Sequence, residues 1–199
     1  WHLHRNRGRR GRIVRSVATT GYLDRIARHL GSEIVEVPVG FKYIGPEINA
    51  GNVLVGGEES GGLSIGGHVP EKDGILACAL MAELVAMEHK TLADVWREIE
   101  QAIGSLWTDR VDLTLSPDAK EALLQRLRAV PKDTFMGRRV TAFNGVDGFK
   151  FTLSDTDWVL IRPSGTEPIV RCYLESDTAA HGAELKQALM AFVTTDGNG

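Results

Sequence analysis

The stretch Arg162-Pro163-Ser164-Gly165-Thr166-Glu167-Pro168 constrains the chain most, because it joins two apolar runs yet cannot itself be a regular strand. The runs, Trp158–Ile161 and Ile169–Leu174, are rich in β-branched and aromatic residues and read as strands. Two prolines and a glycine between them forbid continuous pairing, so the chain must loop out. That loop carries a permanent cation, two hydroxyls and a glycine. Such a set suits a phosphate: Arg offers a planar fork, hydroxyls donate, and successive backbone N–H groups form an anion nest. By composition alone the same residues also fit a plain turn with a solvated Arg.

The chain has 199 residues, room for one large domain or two of about 100. Its 43% hydrophobic and 25% charged content fits a water-soluble globular class. No apolar run reaches the roughly 20 residues of a membrane span, and no signal peptide is visible. The first residue is Trp1, so the chain reads as a fragment of something longer. Cys78 lies in an apolar helical run and Cys172 in an apolar strand; both are expected to be reduced and buried. A cytoplasmic setting fits that usage. Six of the first fifteen residues are arginine and none is acidic, so with a net charge of −3 the remainder carries −9. A basic arm of this kind can bind nucleic acid. The reading adopted is a helix end over 1–7, a Gly8/Gly11 turn and solvated arginines, with neither nucleic acid nor membrane as partner.

Strand-like runs at 13–17, 33–37 and 52–55 alternate with a helical face (Leu23, Ile26, Ala27, Leu30) and a weakly periodic stretch after Val39. This spacing predicts parallel βαβ units: an α/β domain of three layers around a mostly parallel sheet. Ligands in such sheets bind at the carboxyl ends of strands, which is where the glycine-rich segment from Gly56 to Gly67 falls. A helix starting near Gly74 is given an apolar face of Leu76, Ala79, Leu80, Leu84 and Met87. Thr91 and Asp94 predict a capping box for a helix carrying Leu92, Val95, Trp96, Ile99 and Ile103. Gly104 and Ser105 break that pattern, which sets domains at 1–104 and 105–199. The second domain reads as strand (111–115), helix capped by Ser116-Pro117, strands at 140–143, 149–153, 158–161 and 169–174, and a helix over 178–194. That order predicts an α+β fold with helices on one face of an antiparallel sheet. The tail after Asp196 is expected to fray.

The loop at 162–168 resembles the phosphate-binding loop in the last domain of the α-D-phosphohexomutases, the phosphoglucomutase and phosphomannomutase family. Gly57-Glu58-Glu59-Ser60-Gly61 resembles that family's sugar-binding loop, and His68-x-x-Glu71-Lys72-Asp73-Gly74 a segment of its phosphoglucomutase branch. The resemblance covers Ile13 to Val193 and corresponds to the last two of four family domains, the third lacking its beginning. It implies substrate contacts from Glu58, Ser60, Arg162, Ser164, Gly165 and Thr166. Arg171 either adds a second cation or faces solvent. Support near the cleft is implied for Lys42, His68, Lys72 and Arg15.

The family interconverts 1-phospho and 6-phospho sugars through a phosphoserine and a bisphosphate, with Mg2+ held by its second domain. The sequence has no Ser-His-Asn-Pro-type loop and no Asp-x-Asp-x-Asp loop. The resemblance therefore implies a substrate-recognition half, inactive alone, whose partners are sugar phosphates and the missing N-terminal domains of its parent. The branch-like segment leans toward glucose; mannose and glucosamine phosphates are the alternatives. A non-catalytic sugar-phosphate-binding or interaction domain is the reading from a different class.

Overall fold

A computed structural model describes residues 1–164 and 167–194. Gly165, Thr166 and the tail from Thr195 onward lie outside the described residues, and with them the expectations of a phosphate contact at Gly165 and Thr166 and of fraying after Asp196. The chain divides into two compact units, Trp1–Ser105 and Leu106–Gly199.

The first unit runs α1 (His2–Arg5), β1 (Arg12–Ser16), α2 (Tyr22–Leu30), β2 (Ile34–Val37), α3 (Phe41–Ala50), β3 (Val53–Gly57), β4 (Leu63–Ile65), α4 (Gly74–Glu88) and α5 (Leu92–Ile103). Its sheet has the order β2-β1-β3-β4. β1 is parallel to both β2 and β3, and β4 closes one edge antiparallel to β3. Successive strand residues point to opposite faces, and the core divides accordingly. Ile13 and Leu54 pack with Ile26, Leu80, Leu84, Val95 and Ile99 from α2, α4 and α5. Their neighbours Val14 and Val53 pack with Phe41, Ile44 and Ile48 of α3. The result is three layers, helices on both faces of a mostly parallel sheet.

Local signals set most of the helix ends. Gly31 ends α2 in the left-handed conformation at φ 66°. Thr91 and Asp94 form the reciprocal capping box on α5. Thr20, expected to cap α2, instead lies one residue before the cap position, which Gly21 occupies; Thr20 Oγ1 accepts from Tyr22 N at 3.2 Å. α4 is capped by Asp73, whose Oδ1 accepts from Ile75 N at 2.9 Å and Leu76 N at 3.0 Å.

Three expectations are corrected here. Ala79, Met87, Leu92 and Trp96 are exposed, although the helical period placed them inside. Cys78 is exposed as well. For Cys78, Ala79 and Met87 the reason lies in α4, which is apolar at almost every position from Ile75 to Met87, so no period selects a face; in α5 only Val95 and Ile99 are buried, a narrower inward stripe than the period suggested. Nor is the basic stretch simply solvated. Arg5, Arg7, Arg12 and Arg15 each meet a carboxylate, and Arg9 donates to the carbonyl of Gly66.

The second unit runs β5 (Trp107–Thr114), α6 (Pro117–Ala129), β6 (Thr134–Phe135), β7 (Arg138–Arg139), β8 (Ala142–Asn144), β9 (Phe149–Thr152), β10 (Trp158–Pro163), β11 (Ile169–Ser176) and α7 (Ala179–Thr194). Five strands form an antiparallel sheet, β5-β11-β10-β9-β8. Phe151, Val159, Ile161, Val170, Cys172 and Leu174 share one core with Leu123 and Leu127 of α6 and Leu185, Leu189 and Val193 of α7. Burial pushes the Cys172 thiol up to about 12, so it stays protonated and inert. The β6–β7 hairpin has no counterpart in the sequence reading; strands of two residues are too short to show a period.

Two outcomes follow from this packing. A Cβ on Gly182 of α7 would lie 2.0 Å from Cε3 of Trp107. Overpacking costs about 1–3 kcal/mol, which outweighs the roughly 1 kcal/mol helix preference for Ala over Gly. Gly182→Ala should therefore lower the urea midpoint; an unchanged or raised midpoint would mean the ring moves aside freely. The second concerns Asp73, whose carboxyl is held below its ordinary value of 3.8 by the Leu76 amide and then by His68. A lowered folded value means the cap is intact above 3.8 and lost only as pH falls through the lowered value. Carboxyl-carbon NMR should give an Asp73 midpoint below 3.8, with the Ile75 and Leu76 amides losing protection in the same step. A midpoint at or above 3.8 would contradict the capped geometry.

Candidate functional site

In the first unit the candidate residues gather at the carboxyl ends of the three parallel strands. β3 ends at Gly57, and the turn through 58–62 returns as β4 in the register Gly57↔Leu63. The turn is closed by Glu58 N–H donating to Gly62 O at 2.9 Å and Gly61 N–H to Glu58 O at 3.0 Å. Two carboxylates in it tie the strand ends together. Glu58 Oε1 accepts from Gly40 N at 2.9 Å, just beyond β2. Glu59 Oε2 accepts from Ser16 Oγ at 2.8 Å, the last residue of β1. Gly40 has φ 126°, a conformation that other residues rarely adopt, and so can turn its N–H toward Glu58.

The Glu58 side chain is only 7% exposed, and Lys72 Nζ lies 3.6 Å from its Oε2. His68 Nε2 meets Asp73 Oδ2 at 2.9 Å, so the His-x-x-Glu-Lys-Asp-Gly segment is tied to the start of α4. Ser60 is exposed in the turn. Lys42 is exposed at the start of α3, with Nζ 5.0 Å from the centroid of Tyr43. Arg15 differs from the others. It is buried, its Nε and Nη2 bridge Asp24 at 2.7 and 2.9 Å, and its Nη1 meets Glu36 at 2.5 Å. Burial works against its charge, but hydrogen bonds and charge from these two carboxylates together outweigh that and raise its pKa above the ordinary arginine value. Its geometry is that of a brace between β1, α2 and β2.

In the second unit the candidates sit where β10 and β11 turn into each other. The ladder pairs Arg162 directly with Arg171, and Pro163 with Val170. Directly opposite residues in an antiparallel pair project from the same face, so both arginine side chains leave the sheet on one face at the base of the loop. Ser164 is buried and closes the ladder, its N–H donating to Ile169 O at 2.8 Å. Its Oγ accepts from Glu167 N at 3.1 Å.

Four groups that sequence reasoning missed complete this arrangement. Asp147 Oδ2 accepts from Arg162 Nε at 2.9 Å. Glu167 Oε2 accepts from Arg171 Nη2 at 2.8 Å, and Asp112, paired with Arg171 in the β5–β11 ladder, lies 3.8 Å from its Nε. Lys120 of α6 donates to the carbonyls of Ser164, at 2.5 Å, and Glu167, at 3.1 Å. Of these, only Glu167 lies inside a recognised motif, which marks its place rather than its charge. Asp147 sits in a turn whose sequence signal is its glycines, and nothing local in sequence links Lys120 to residues more than forty positions on.

The two units match two family profiles. "Phosphoglucomutase/phosphomannomutase, alpha/beta/alpha domain III" matches residues 1–102, and "Phosphoglucomutase/phosphomannomutase, C-terminal domain" matches residues 111–192. A phosphoglucomutase of Komagataeibacter xylinus is 32% identical over 185 residues, covering 85% of this chain and 33% of the relative. A protein of Methanopyrus kandleri assigned as a phosphoglucosamine mutase is 28% identical over 183 residues, covering 92% of this chain and 38% of the relative. Among solved structures, one from Thermus thermophilus assigned as a phosphomannomutase superposes with a TM-score of 0.75 at 34% identity. It covers 97% of this chain and 39% of that one. The chain thus spans between a third and two fifths of the length of these relatives. With domain profiles accounting for most of its length in the order and folds described above, the chain belongs to the phosphoglucomutase/phosphomannomutase family of phosphohexomutases.

Proposed function

We propose that this chain is the substrate-recognition half of a phosphohexomutase that interconverts a hexose 1-phosphate and 6-phosphate, glucose foremost, through a phosphoserine enzyme and a bisphosphate intermediate. Residues 1–104 would serve as the sugar-binding third domain and 105–199 as the phosphate-binding fourth. The observation that carries this is the cross-strand pairing of Arg162 with Arg171 beside Ser164. Asp147 and Glu167 meet these guanidinium groups, but each contact takes only part of an arginine's donor set, and a phosphate group can accept from the rest.

In this reading Arg162, Ser164, Gly165, Thr166 and Arg171 hold the non-reacting phosphate. Its binding energy positions the reacting end of the sugar. Glu58 and Ser60 hold a pair of sugar hydroxyls. An ionised carboxylate has about four acceptor sites, so Glu58 retains acceptor capacity beyond its bond from Gly40. Generic phosphate donors and a hydroxyl pair accept the sugar in either orientation, as a bisphosphate that turns around requires. Lys42 and Lys72 would supply positive charge near the sugar loop and His68 a polar ring, while Arg15 acts through the strand ends that it braces. The His68 to Gly74 segment inclines the choice toward glucose; relatives named for glucose and for glucosamine phosphates both match.

Phosphoryl transfer also needs a nucleophile that carries the group and charge neutralisation of the kind that a bound magnesium ion supplies. Among the described residues no group of three or more His, Cys, Asp or Glu side chains could hold a metal ion, so none is assigned to one here. Among them, too, no helix is long and apolar enough to cross a membrane.

Calorimetry on the chain tests the reading. Arg162→Ala should cost about 1.5–3 kcal/mol of binding to glucose 1-phosphate, the range of a charge-assisted hydrogen bond, or roughly 10- to 150-fold in affinity. Glu58→Gln should weaken glucose 1-phosphate more than inorganic phosphate. Unchanged affinity in the first, or equal weakening of both ligands in the second, would count against these assignments. In a coupled assay with magnesium and glucose 1,6-bisphosphate, the 199 residues alone should not convert glucose 1-phosphate to glucose 6-phosphate. Turnover with a trapped phosphoserine at Ser60 or Ser164 would overturn the proposed division of labour.

A further inference from the structure

We propose that Asp147 is a positioning residue for Arg162, holding its guanidinium in the orientation that receives phosphate. The inference rests on the assignment of Arg162 to phosphate and names the group outside the loop that sets its aim. Its basis is topological. β9 pairs antiparallel with β10 in the register Phe149↔Ile161, so the residues just before Phe149 run alongside those just after Ile161. The turn between β8 and β9 is therefore carried to the base of the phosphate loop.

Gly148 lets the backbones meet there. It has φ 104°, and a Cβ on it would lie 2.7 Å from Ile161 O and 3.2 Å from the Arg162 Cα, so only glycine fits without displacement. Asn144 Oδ1 accepts from Val146 N at 2.9 Å and fixes the other end of the turn. Asp147 is thereby delivered to Arg162, with Oδ2 2.9 Å from Nε. Both side chains are largely shielded, 24% and 20% exposed, so the contact is less screened than a surface ion pair. It uses one carboxylate oxygen and Nε alone, and so does not consume the end-on pair Nη1 and Nη2, which is the fork that matches two phosphate oxygens.

A bare electrostatic view and a positioning role predict opposite signs. A carboxylate beside an anion site repels the anion, so its removal should tighten phosphate binding. If the carboxylate instead aims the guanidinium, its removal leaves Arg162 to sample other rotamers and binding weakens. The test is calorimetric titration of the 199-residue chain with inorganic phosphate, for wild type, Asp147→Ala and Asp147→Asn. A 15N–1H measurement of Arg162 Nε–H exchange and a thermal melt accompany each.

The expected result is about a 5- to 30-fold loss of phosphate affinity in Asp147→Ala, smaller than the roughly 10- to 150-fold of a lost charge-assisted hydrogen bond because the Arg162 guanidinium itself remains. Asp147→Asn, which keeps an acceptor oxygen, should lose less. Nε–H exchange should quicken in the same order while the melting temperature stays put. Equal or tighter phosphate binding by the variants, with wild type binding normally, overturns the positioning role and leaves Arg162 as the phosphate ligand. So does weaker binding that tracks only a fall in melting temperature. Wild type that binds neither inorganic phosphate nor glucose 1-phosphate overturns the phosphate assignment itself, and this inference with it.

Discussion

The register between β10 and β11 is the constraint on which the second unit turns. It sets Arg162 opposite Arg171 at the base of the loop, one rung before the last ladder pair, Pro163↔Val170. Like charges directly opposite in a sheet cost up to about 1 kcal/mol. Each arginine is met by a carboxylate, Asp147 for the first and Glu167 for the second, with Asp112 beyond. These acids arrive from different strands and turns, so the charge balance depends on the whole five-stranded sheet closing in one register. A slip of one residue in either strand would turn its arginine to the other face, where the same sheet buries Ile161 and Cys172 in the core.

The first unit solves a related problem by other means. Parallel strands bring their carboxyl ends to one edge, but nothing in a parallel ladder ties those ends to one another. Here the adjacent acids Glu58 and Glu59 do so, reaching Gly40 beyond β2 and Ser16 at the end of β1. Buried Arg15 adds ion pairs to two half-buried carboxylates, Asp24 of α2 and Glu36 of β2, joining that helix to the neighbouring strand. Removing one partner from such a buried set is strongly unfavourable, which makes the strand ends a stiff platform for the exposed Ser60 and Lys72.

Much of this could be read from the chain itself. The βαβ spacing, the Thr91/Asp94 capping box, the Ser116-Pro117 helix start and the strands flanking the phosphate loop all carry local signals, and the structure agrees with them. What was not legible falls into two kinds. α4 is apolar around its circumference, so no period could say that Leu80 and Leu84 turn inward while Cys78 and Met87 do not. The partners Asp147 and Lys120 become neighbours of the loop only through the sheet register and the packing of α6, and no short window of sequence contains that information. Arg15 shows a third limit: its motif-like position draws attention to it, but only the surrounding acids Asp24 and Glu36 reveal what occupies its donors.

Both candidate loops are spans whose two ends are pinned by adjacent ladder pairs, Gly57↔Leu63 on one and Pro163↔Val170 on the other. The first is pinned further by hydrogen bonds across the turn, and the second by Ser164 to Ile169. A residue inserted or deleted between these pinned ends would strain the nearest ladder rung. Long surface loops ordinarily absorb such changes at little cost; these cannot. At these two turns, therefore, length is bound to the sheet and side chains are not, and the loop lengths should outlast the identities of the residues they carry.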